Sequence, residues 1–103
     1  MFERSAHLFI DFEFTMPEGK NNPIGFFPEI IEVGWILVKD DKVIDQYTSY
    51  VKPEAFPVLT SRCRKFLNIN NAHVNQGISF EELVILLKKV NSEKPAIVTW
   101  GNN

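Results

Sequence analysis

The amino-acid sequence predicts one α/β domain over residues 1–103, with a mixed sheet made of a three-stranded antiparallel meander and one parallel strand. Three β-rich runs separated by turn residues fill the first half of the chain. The apolar spacing then changes to a helical period, and a last β-branched run follows the helices. Because a strand reached through a helical crossover normally runs parallel to its neighbour, the second half adds a parallel strand to the meander.

The first β-rich run, LFIDFEFT at 8–15, predicts a buried central strand that carries two charges. Asp11 and Glu13 are two residues apart, so both carboxylates project from one face of the strand, with Phe12 on the other. Burying ionised carboxylates is costly without a cationic partner, and neither sequence neighbour is Lys or Arg. A hard divalent cation such as Mg²⁺ or Mn²⁺ is the simplest partner, and a nuclease-type metal site is the hypothesis.

A less specific interpretation of the same pair stays open. Asp-x-Glu often occurs by chance at the end of a strand, where both carboxylates are simply solvated. The pair alone therefore does not decide between a metal site and a solvated strand end.

The rest of the first half completes the meander. Residues 16–25 are rich in Pro, Gly and Asn and predict a loop that leaves the carboxylate end of the first strand. Residues 29–38 predict a second strand with Ile31, Val33, Trp35 and Leu37 on one face. Residues 39–42 (KDDK) form a turn of hairpin length, and residues 43–51 a half-exposed third strand.

The second half predicts two helices and a strand. Thr60 or Ser61 caps a short helix that runs to about Leu67 and buries Cys63, Phe66 and Leu67. Ser79 opens a clearer helix, because Glu82 completes a capping box with it. The apolar face of this helix consists of Phe80, Leu83, Val84, Leu86, Leu87 and Val90. Pro95 prevents continuation, and residues 96–100 (AIVTW) predict a buried fourth strand on the free side of the first.

Composition and charge exclude several classes of function. The net charge of −2 and the pI near 5.6 argue against a passive, charge-driven nucleic-acid coat protein. They do not exclude an enzyme that meets phosphate through metal ions. The lone Cys63 cannot form an internal disulfide, which fits a reducing cytoplasm, and no stretch approaches the about 20 apolar residues of a membrane span.

The position of the fourth strand carries a further expectation. A buried strand close to the end of the chain leaves one sheet edge unpaired and helix faces uncovered, a liability for a small domain. We therefore expect these residues to be part of a longer protein. The unpaired edge also makes self-association plausible.

Several segments together resemble a known family. The residues are Asp11 to Thr15 (DFEFT), 29–34 (EIIEVG), 57–63 (PVLTSRC), 69–74, 80–83 and 99–102 (TWGN). In order and spacing they resemble the DnaQ-like (DEDD) 3′-to-5′ exonucleases. The likeness is greatest to the branch that trims short RNAs and histone messenger RNA ends, together with the KapD-like sporulation inhibitors.

The resemblance implies a fold, a cofactor and a partner. The fold would be ribonuclease H-like, truncated here before its last strand and C-terminal helices, so that residues 1–103 form the N-terminal part of one exonuclease domain. The cofactors would be two Mg²⁺ or Mn²⁺ ions, one activating the attacking water and the other stabilising the leaving 3′ oxygen. The partner would be the 3′ end of RNA or single-stranded DNA.

The resemblance also assigns roles to residues. Asp11 and Glu13 match the first two metal-binding carboxylates, and Phe14 and Thr15 lie where the family holds the terminal 3′-hydroxyl. The third carboxylate would directly follow Asn103, and neither it, the fourth carboxylate nor the general-base His is among the 103 residues. Neither His7 nor His73 matches that His, and the family's Thr-Gln pair is replaced by Asn70-Asn71.

Two functional classes follow from this pattern. The first is a metal-dependent exonuclease whose 103 residues alone are inactive, and the second is a non-catalytic module that binds nucleic acid or a protein. Glu29 and Glu32 are expected to pair with a cation or face solvent or a neighbouring helix rather than to act in catalysis. Phe26 and Phe27 could stack on a base or belong to the core, and Cys63 lacks a base that would make it a nucleophile.

Overall fold

The computed structural model describes residues 5–19 and 22–99. Their strands are β1 (Ala6–Phe14), β2 (Ile30–Lys39), β3 (Lys42–Tyr50) and β4 (Ala96–Val98). Their helices are α1 (Ser61–Leu67), α2 (Asn71–Asn75) and α3 (Phe80–Val90), the last followed by a 3₁₀ turn at Asn91–Glu93. The sheet order is β3-β2-β1-β4, antiparallel except for the parallel pair of β1 and β4. This confirms the predicted mixed sheet.

β1 is the central strand, but its two ladders differ in length. Towards β2, the pairing runs from Ala6 opposite Lys39 to Phe14 opposite Ile30, with a bulge between Glu13 and Phe14. Towards β4, the pairing covers only residues 7–9. The end of β1 that carries the carboxylates is therefore paired on one side only within the described chain.

The hydrophobic core lies against one face of the sheet, as the alternation of β2 predicts. Its buried residues next to α3 are Leu8, Ile10, Val33, Trp35, Leu37, Val51, Leu83 and Val90. A second cluster lies where α1 and α2 meet the start of β2, and it consists of Ile31, Leu59, Cys63, Ile69 and Val74. The two clusters fix the helices on the same face of the sheet, since Ile31 and Val33 are two residues apart on β2.

The β2–β3 connection is the predicted two-residue hairpin turn. Asp40 and Asp41 have φ angles of 52° and 64°. Positive φ at both central residues matches the twist of the flanking strands, and Asp is one of the residue types that tolerate this conformation.

Both predicted helix starts are confirmed by their caps. The Thr60 hydroxyl accepts the Cys63 N–H at the start of α1, and Ser79 and Glu82 form a reciprocal capping box at the start of α3. α2 is an additional short helix, and its capping box is formed by Asn70 and His73.

Two apolar residues expected in the core are exposed. Phe66 is 74% exposed, because α1 has only two turns and packs through Cys63 and Leu67, which lie one turn apart on its inner side. Phe80 is 47% exposed, because it is the first residue of α3 and extends past the edge of the core.

The fourth strand is shorter and less buried than predicted. It covers Ala96–Val98, and Ile97 is 56% exposed. β1 is its one neighbour among the described strands, so β4 forms an edge of the sheet. Trp100, the last residue of the predicted strand, lies outside the described residues. Self-association through this edge stays a prediction.

A parallel bridge between Val51 and Ile78 joins the end of β3 to the residues before α3. Gly77 lies beside this bridge, and a Cβ atom at this position would overlap the carbonyl group of Tyr50. We expect Gly77→Ala to lower the free energy of unfolding by about 1–3 kcal/mol, since the obstacle is backbone and cannot rotate away. The change is measured from the midpoint of urea denaturation.

Gly34→Ala is the matched control. A Cβ at Gly34 would lie 3.6 Å from Thr48 Oγ1, an ordinary contact distance, so we expect little change in the midpoint. Equal midpoints for the two variants would contradict the close approach at Gly77.

Candidate active site

Asp11 and Glu13 lie together in an open cleft on the sheet face opposite α3. Phe12, between them in sequence, packs against the core cluster on the α3 side, so the alternation of the strand directs both carboxylates the other way. The cleft has a volume of about 240 Å³. Its lining residues are Asp11, Phe12, Glu13, Glu32, Val33, Gly34 and Thr48.

The register of the sheet determines what faces the two carboxylates. Asp11 lies opposite Gly34, and Glu13 lies opposite Glu32. Gly34 has no side chain to fill the space beside Asp11, and Thr48 is its partner on β3. The small residues Gly34 and Thr48 therefore lie in the cleft beside three acidic side chains, those of Asp11, Glu13 and Glu32.

The expectation that the strand buries both charges was wrong. Asp11 is exposed, and Glu13 is only partly buried. The physical reason is that the helices and both core clusters lie against the other face of the sheet, so no described helix packs over Asp11 and Glu13. The β4 ladder also ends at Phe9, so no described strand flanks this side of β1. Crowding of like charges, together with partial burial of Glu13, is therefore what favours a cation here.

The pKa of the Glu13 carboxyl is raised above its ordinary value. Partial burial is the largest cause, followed by the negative charges of Asp11 and of Glu32. Each of these disfavours the ionised form, so the cleft holds negative charge at an electrostatic cost.

The donor set of the cleft fits a divalent cation. Asp11 and Glu13 supply carboxylate oxygens, the ligands that Mg²⁺ and Mn²⁺ prefer, and Glu32 adds negative charge beside Glu13. Within residues 5–19 and 22–99, neither Lys nor Arg forms an ion pair with them; the ion pair found there joins Lys39 and Glu93. The same residues do not contain a complete cluster of three or more His, Cys, Asp or Glu side chains that could hold a metal. Asp11 and Glu13 thus fit part of a metal site.

Phe14 lies at the bulge that ends β1, on the α3 side. It is 45% exposed, and its ring centroid lies 6.3 Å from that of Phe12. Phe14 borders an apolar groove of about 400 Å³. The other residues lining this groove are Phe27, Pro28, Glu29, Ile30, Lys52, Glu54, Ala55 and Phe80.

Phe26 and Phe27 were each expected either to stack on a base or to belong to the core, and their environments in the structure differ. Phe26 is partly buried and its ring packs on Phe56 with centroids 5.3 Å apart. Phe27 meets Phe56 edge to face at 5.4 Å and remains 50% exposed beside the groove. Phe27 is therefore the one of the pair with a face available for stacking.

Thr15 is buried and fixed to Glu29 by two hydrogen bonds. Its N–H donates to the Glu29 carbonyl at 2.8 Å, and its hydroxyl accepts the Glu29 N–H at 2.8 Å. The Thr15 side chain is only 5% exposed. Thr15 thus follows the two carboxylates in sequence and is held in place by its hydrogen bonds to Glu29. Its contact with a substrate stays a prediction.

The loop after β1 is also attached to the start of α1. The Thr60 hydroxyl donates to the Met16 carbonyl at 2.8 Å, and the Ser61 hydroxyl donates to the Glu18 carboxylate at 2.6 Å. The Ser61 hydrogen bond is the largest cause of a lowered pKa of the Glu18 carboxyl, followed by the bond from the Arg62 N–H. The path of the chain beyond Glu13 is therefore defined at several points.

Three residues set aside in the sequence have structural roles. His73 closes the cap of α2 by accepting the Asn70 N–H at 3.0 Å, and its ring stacks on Tyr50. Asn71 accepts the Leu59 N–H and donates to the Pro57 carbonyl, which ties α2 to the preceding segment. Cys63 is a fully buried free thiol in the second core cluster. His73 is thus a structural residue, as expected.

Sequence reasoning missed the positions of two glutamates. Glu32 was expected to pair with a cation or to face solvent or a neighbouring helix, and it lies in the open cleft opposite Glu13, a position that the sequence does not indicate. The β1–β2 register that brings them together is set across the loop from Thr15 to Glu29, and a loop of that length specifies no register. Glu29 accepts three backbone N–H groups of a distant segment, for which no sequence signal exists.

The chain matches known proteins over most of its length. A family model described as Exonuclease (RNase_T) matches residues 8–96. The protein named probable 3′-5′ exonuclease KapD of Bacillus subtilis (strain 168) is 50% identical over 96 residues, which cover 92% of this chain and 47% of KapD. The chain thus spans about half the length of this relative.

Solved structures agree with the family match. A 3′-exonuclease described as showing 3′-end specific recognition of the histone mRNA stem-loop superposes with a TM-score of 0.76 at 26% identity. The match covers 96% of this chain and 37% of that one. The nuclease domain of 3′hExo, a DEDDh family member bound to rAMP, superposes with a TM-score of 0.75 at 26% identity, covering 95% and 52%. These matches confirm the predicted ribonuclease H-like fold.

The raised pKa of Glu13 predicts a pH-dependent stability. The unfolded chain ionises Glu13 near its ordinary pKa of 4.5, whereas the folded chain resists ionisation, so stability is lost as pH rises through the raised pKa. We expect Glu13→Gln to increase the free energy of unfolding at pH 7 in buffer containing a chelator, and the increase to disappear below pH 4.5. Urea denaturation at several pH values measures it.

Glu54→Gln removes an exposed carboxylate outside the cleft and serves as the control. A gain of equal size in both variants, or a gain for Glu13→Gln that persists below pH 4.5, would contradict the assigned crowding.

Proposed function

Because the chain belongs to the exonuclease family, we propose that it supplies the first two metal-binding carboxylates, Asp11 and Glu13, of a 3′-to-5′ exonuclease. The enzyme would hydrolyse phosphodiester bonds at the 3′ ends of RNA or single-stranded DNA, in the cytoplasm. One observation carries the proposal. Asp11, Glu13 and Glu32 crowd one cleft, and no described cationic side chain forms an ion pair with them.

Two divalent ions, Mg²⁺ or Mn²⁺, would supply the chemistry by activating water and stabilising the leaving 3′ oxygen. Asp11 and Glu13 would hold these ions at the open end of the cleft. The other ligands and the general base would lie in sequence outside these 103 residues, which fits the 47% coverage of KapD. The 103-residue chain by itself would then be inactive.

The chain's own residues would receive the end of the substrate next to this cleft. Phe14 and Thr15 follow Glu13 directly, and the two hydrogen bonds between Thr15 and Glu29 hold their backbone in place. A fixed backbone next to the carboxylates suits the orientation of a terminal 3′-hydroxyl, because misplacement of a reacting group is costly in rate.

The alternative is a non-catalytic module that binds nucleic acid or a protein. Both functions are compatible with the absence, among the described residues, of a complete cluster of metal-ligating side chains. No helix among the described residues is long and apolar enough to span a membrane. The two functions differ in whether sequence beyond Asn103 supplies hydrolytic activity.

The activity is tested with 3′-end-labelled RNA and DNA in the presence of Mn²⁺. We expect the polypeptide that continues through its natural C-terminus to hydrolyse these substrates. We expect no hydrolysis by the 103-residue chain. A chimaera of this chain with the part of KapD outside the matched region gives a second form of the complete domain. Asp11→Ala should abolish hydrolysis in either form, since it removes a metal ligand.

Asp41→Asn is the control, because Asp41 lies in the β2–β3 turn and away from the cleft, and Asn tolerates its positive φ. Inactivity of both complete forms would favour the non-catalytic module. Metal-dependent trimming by the 103-residue chain would contradict the assignment of essential ligands to other sequence.

Metal binding by the 103-residue chain gives a separate prediction. Titration with Mn²⁺, followed by paramagnetic broadening of backbone amide signals, should show weak binding centred on Asp11 and Glu13. We expect Asp11→Asn to remove the broadening and Asp41→Asn to leave it unchanged, because two carboxylates alone form an incomplete site. Broadening centred on the Asp40-Asp41 turn instead would contradict the assigned site.

A further inference from the structure

Glu29 makes a set of hydrogen bonds unlike that of any other described carboxylate. Its Oε2 atom accepts the N–H groups of Glu54 and Ala55 at 2.8 and 2.9 Å, and its Oε1 atom accepts that of Phe56 at 2.9 Å. Three successive backbone N–H groups thus converge on one carboxylate. Hydrogen bonds to an ionised acceptor are shorter and roughly twice as strong as neutral ones, so this contact fixes residues 54–56 firmly.

The backbone of the same residue holds the end of β1. Glu29 receives the Thr15 N–H on its carbonyl and gives its own N–H to the Thr15 hydroxyl. These two bonds follow directly after the bulge between Glu13 and Phe14, where regular pairing is interrupted. They therefore determine where the chain goes immediately after the second carboxylate.

Glu29 is thus the link between two segments that are far apart in sequence. Its side chain holds residues 54–56, and its main chain holds Thr15. If the side chain lost its partners, the segment before β2 would be free to shift, and the Thr15 bonds would shift with it. The carboxylate itself contacts neither Asp11 nor Glu13 and does not line their cleft.

We propose that Glu29 is a positioning residue for the 3′ end of the substrate: by holding residues 54–56, its carboxylate fixes the Phe14–Thr15 backbone beside the metal-binding carboxylates. This inference rests on the proposed function for its substrate. It adds a role for a residue outside the cleft, which acts through Thr15.

Glu29→Gln is the informative substitution. An amide of the same size has one acceptor oxygen, and its NH₂ group can only donate. At least one N–H of residues 54–56 then faces another donor. Glu54→Gln is the matched control: it makes the same charge change within the same segment, and Glu54 uses only its backbone N–H in this contact.

The kinetic test uses the complete exonuclease with oligonucleotides that end in either a 3′-hydroxyl or a 3′-deoxy group. We expect Glu29→Gln to lower kcat/KM for the 3′-hydroxyl substrate by about 10- to 100-fold, the effect of a misplaced reacting group. The loss should be smaller for the 3′-deoxy substrate, so that the preference for a 3′-hydroxyl falls. Glu54→Gln should leave both values and their ratio unchanged.

An equal loss on both substrates would overturn the proposal, since a general loss of folded enzyme lowers both alike. An unchanged kcat/KM for both substrates would also overturn the proposal.

Amide hydrogen exchange on the same proteins tests the link without reference to activity. In Glu29→Gln the amides of Glu54, Ala55 and Phe56 should exchange faster, and so should that of Thr15. Unchanged protection of Thr15 would overturn the proposed link. If the wild-type enzyme hydrolyses neither substrate, the proposed function fails, and the Thr15 amide still decides whether Glu29 fixes this backbone.

Discussion

The unequal pairing of β1 is the constraint on which the rest of the structure depends. Over residues 7–9 the strand has a neighbour on each side, and its inward side chains belong to the core. Beyond Phe9 only β2 remains beside it among the described strands. One strand therefore provides both buried core residues and the end that carries the two carboxylates, so the core directly supports the candidate site.

At the candidate site, carboxylates of like charge lie close together, which is electrostatically unfavourable. Glu13 lies between Asp11 and Glu32, and both neighbours disfavour its ionised form. No salt bridge among the described residues offsets this crowding. Local conflicts of this kind concentrate at functional sites, because a ligand can relieve what the empty protein cannot. Negative charge without an internal partner is what a cation-binding cleft requires.

The sequence predicted the elements well because local signals determine them. The alternation in β2, the Ser79–Glu82 capping box and the Asp40-Asp41 turn each act within a few residues, and all three were confirmed. Asp11 and Glu13 were placed on one face by the same local rule. What failed depended on distant partners: the burial of Phe66 and Phe80, the exposure of Asp11, and the extent of β4.

The positions of Glu29 and Glu32 also depend on partners that are distant in sequence. Both occur in the segment EIIEVG, and nothing local distinguishes their roles. The β1–β2 register places Glu32 in the cleft, whereas the path of the chain after Lys52 brings three N–H groups to Glu29. Neither the register nor that path follows from residue type or spacing, so these roles emerge only from the tertiary structure.

The bridge between Val51 and Ile78 brings the two ends of the segment 52–77 together. The chain leaves the sheet at Val51, forms α1 and α2, and returns to the same point before α3 begins. A local opening of residues 52–77 would expose Ile31 of β2, on which they pack in the second core cluster. Such an opening would remove the partners of the Glu29 carboxylate and release the end of β1. The order of the candidate site is thus coupled to the packing of residues 52–77.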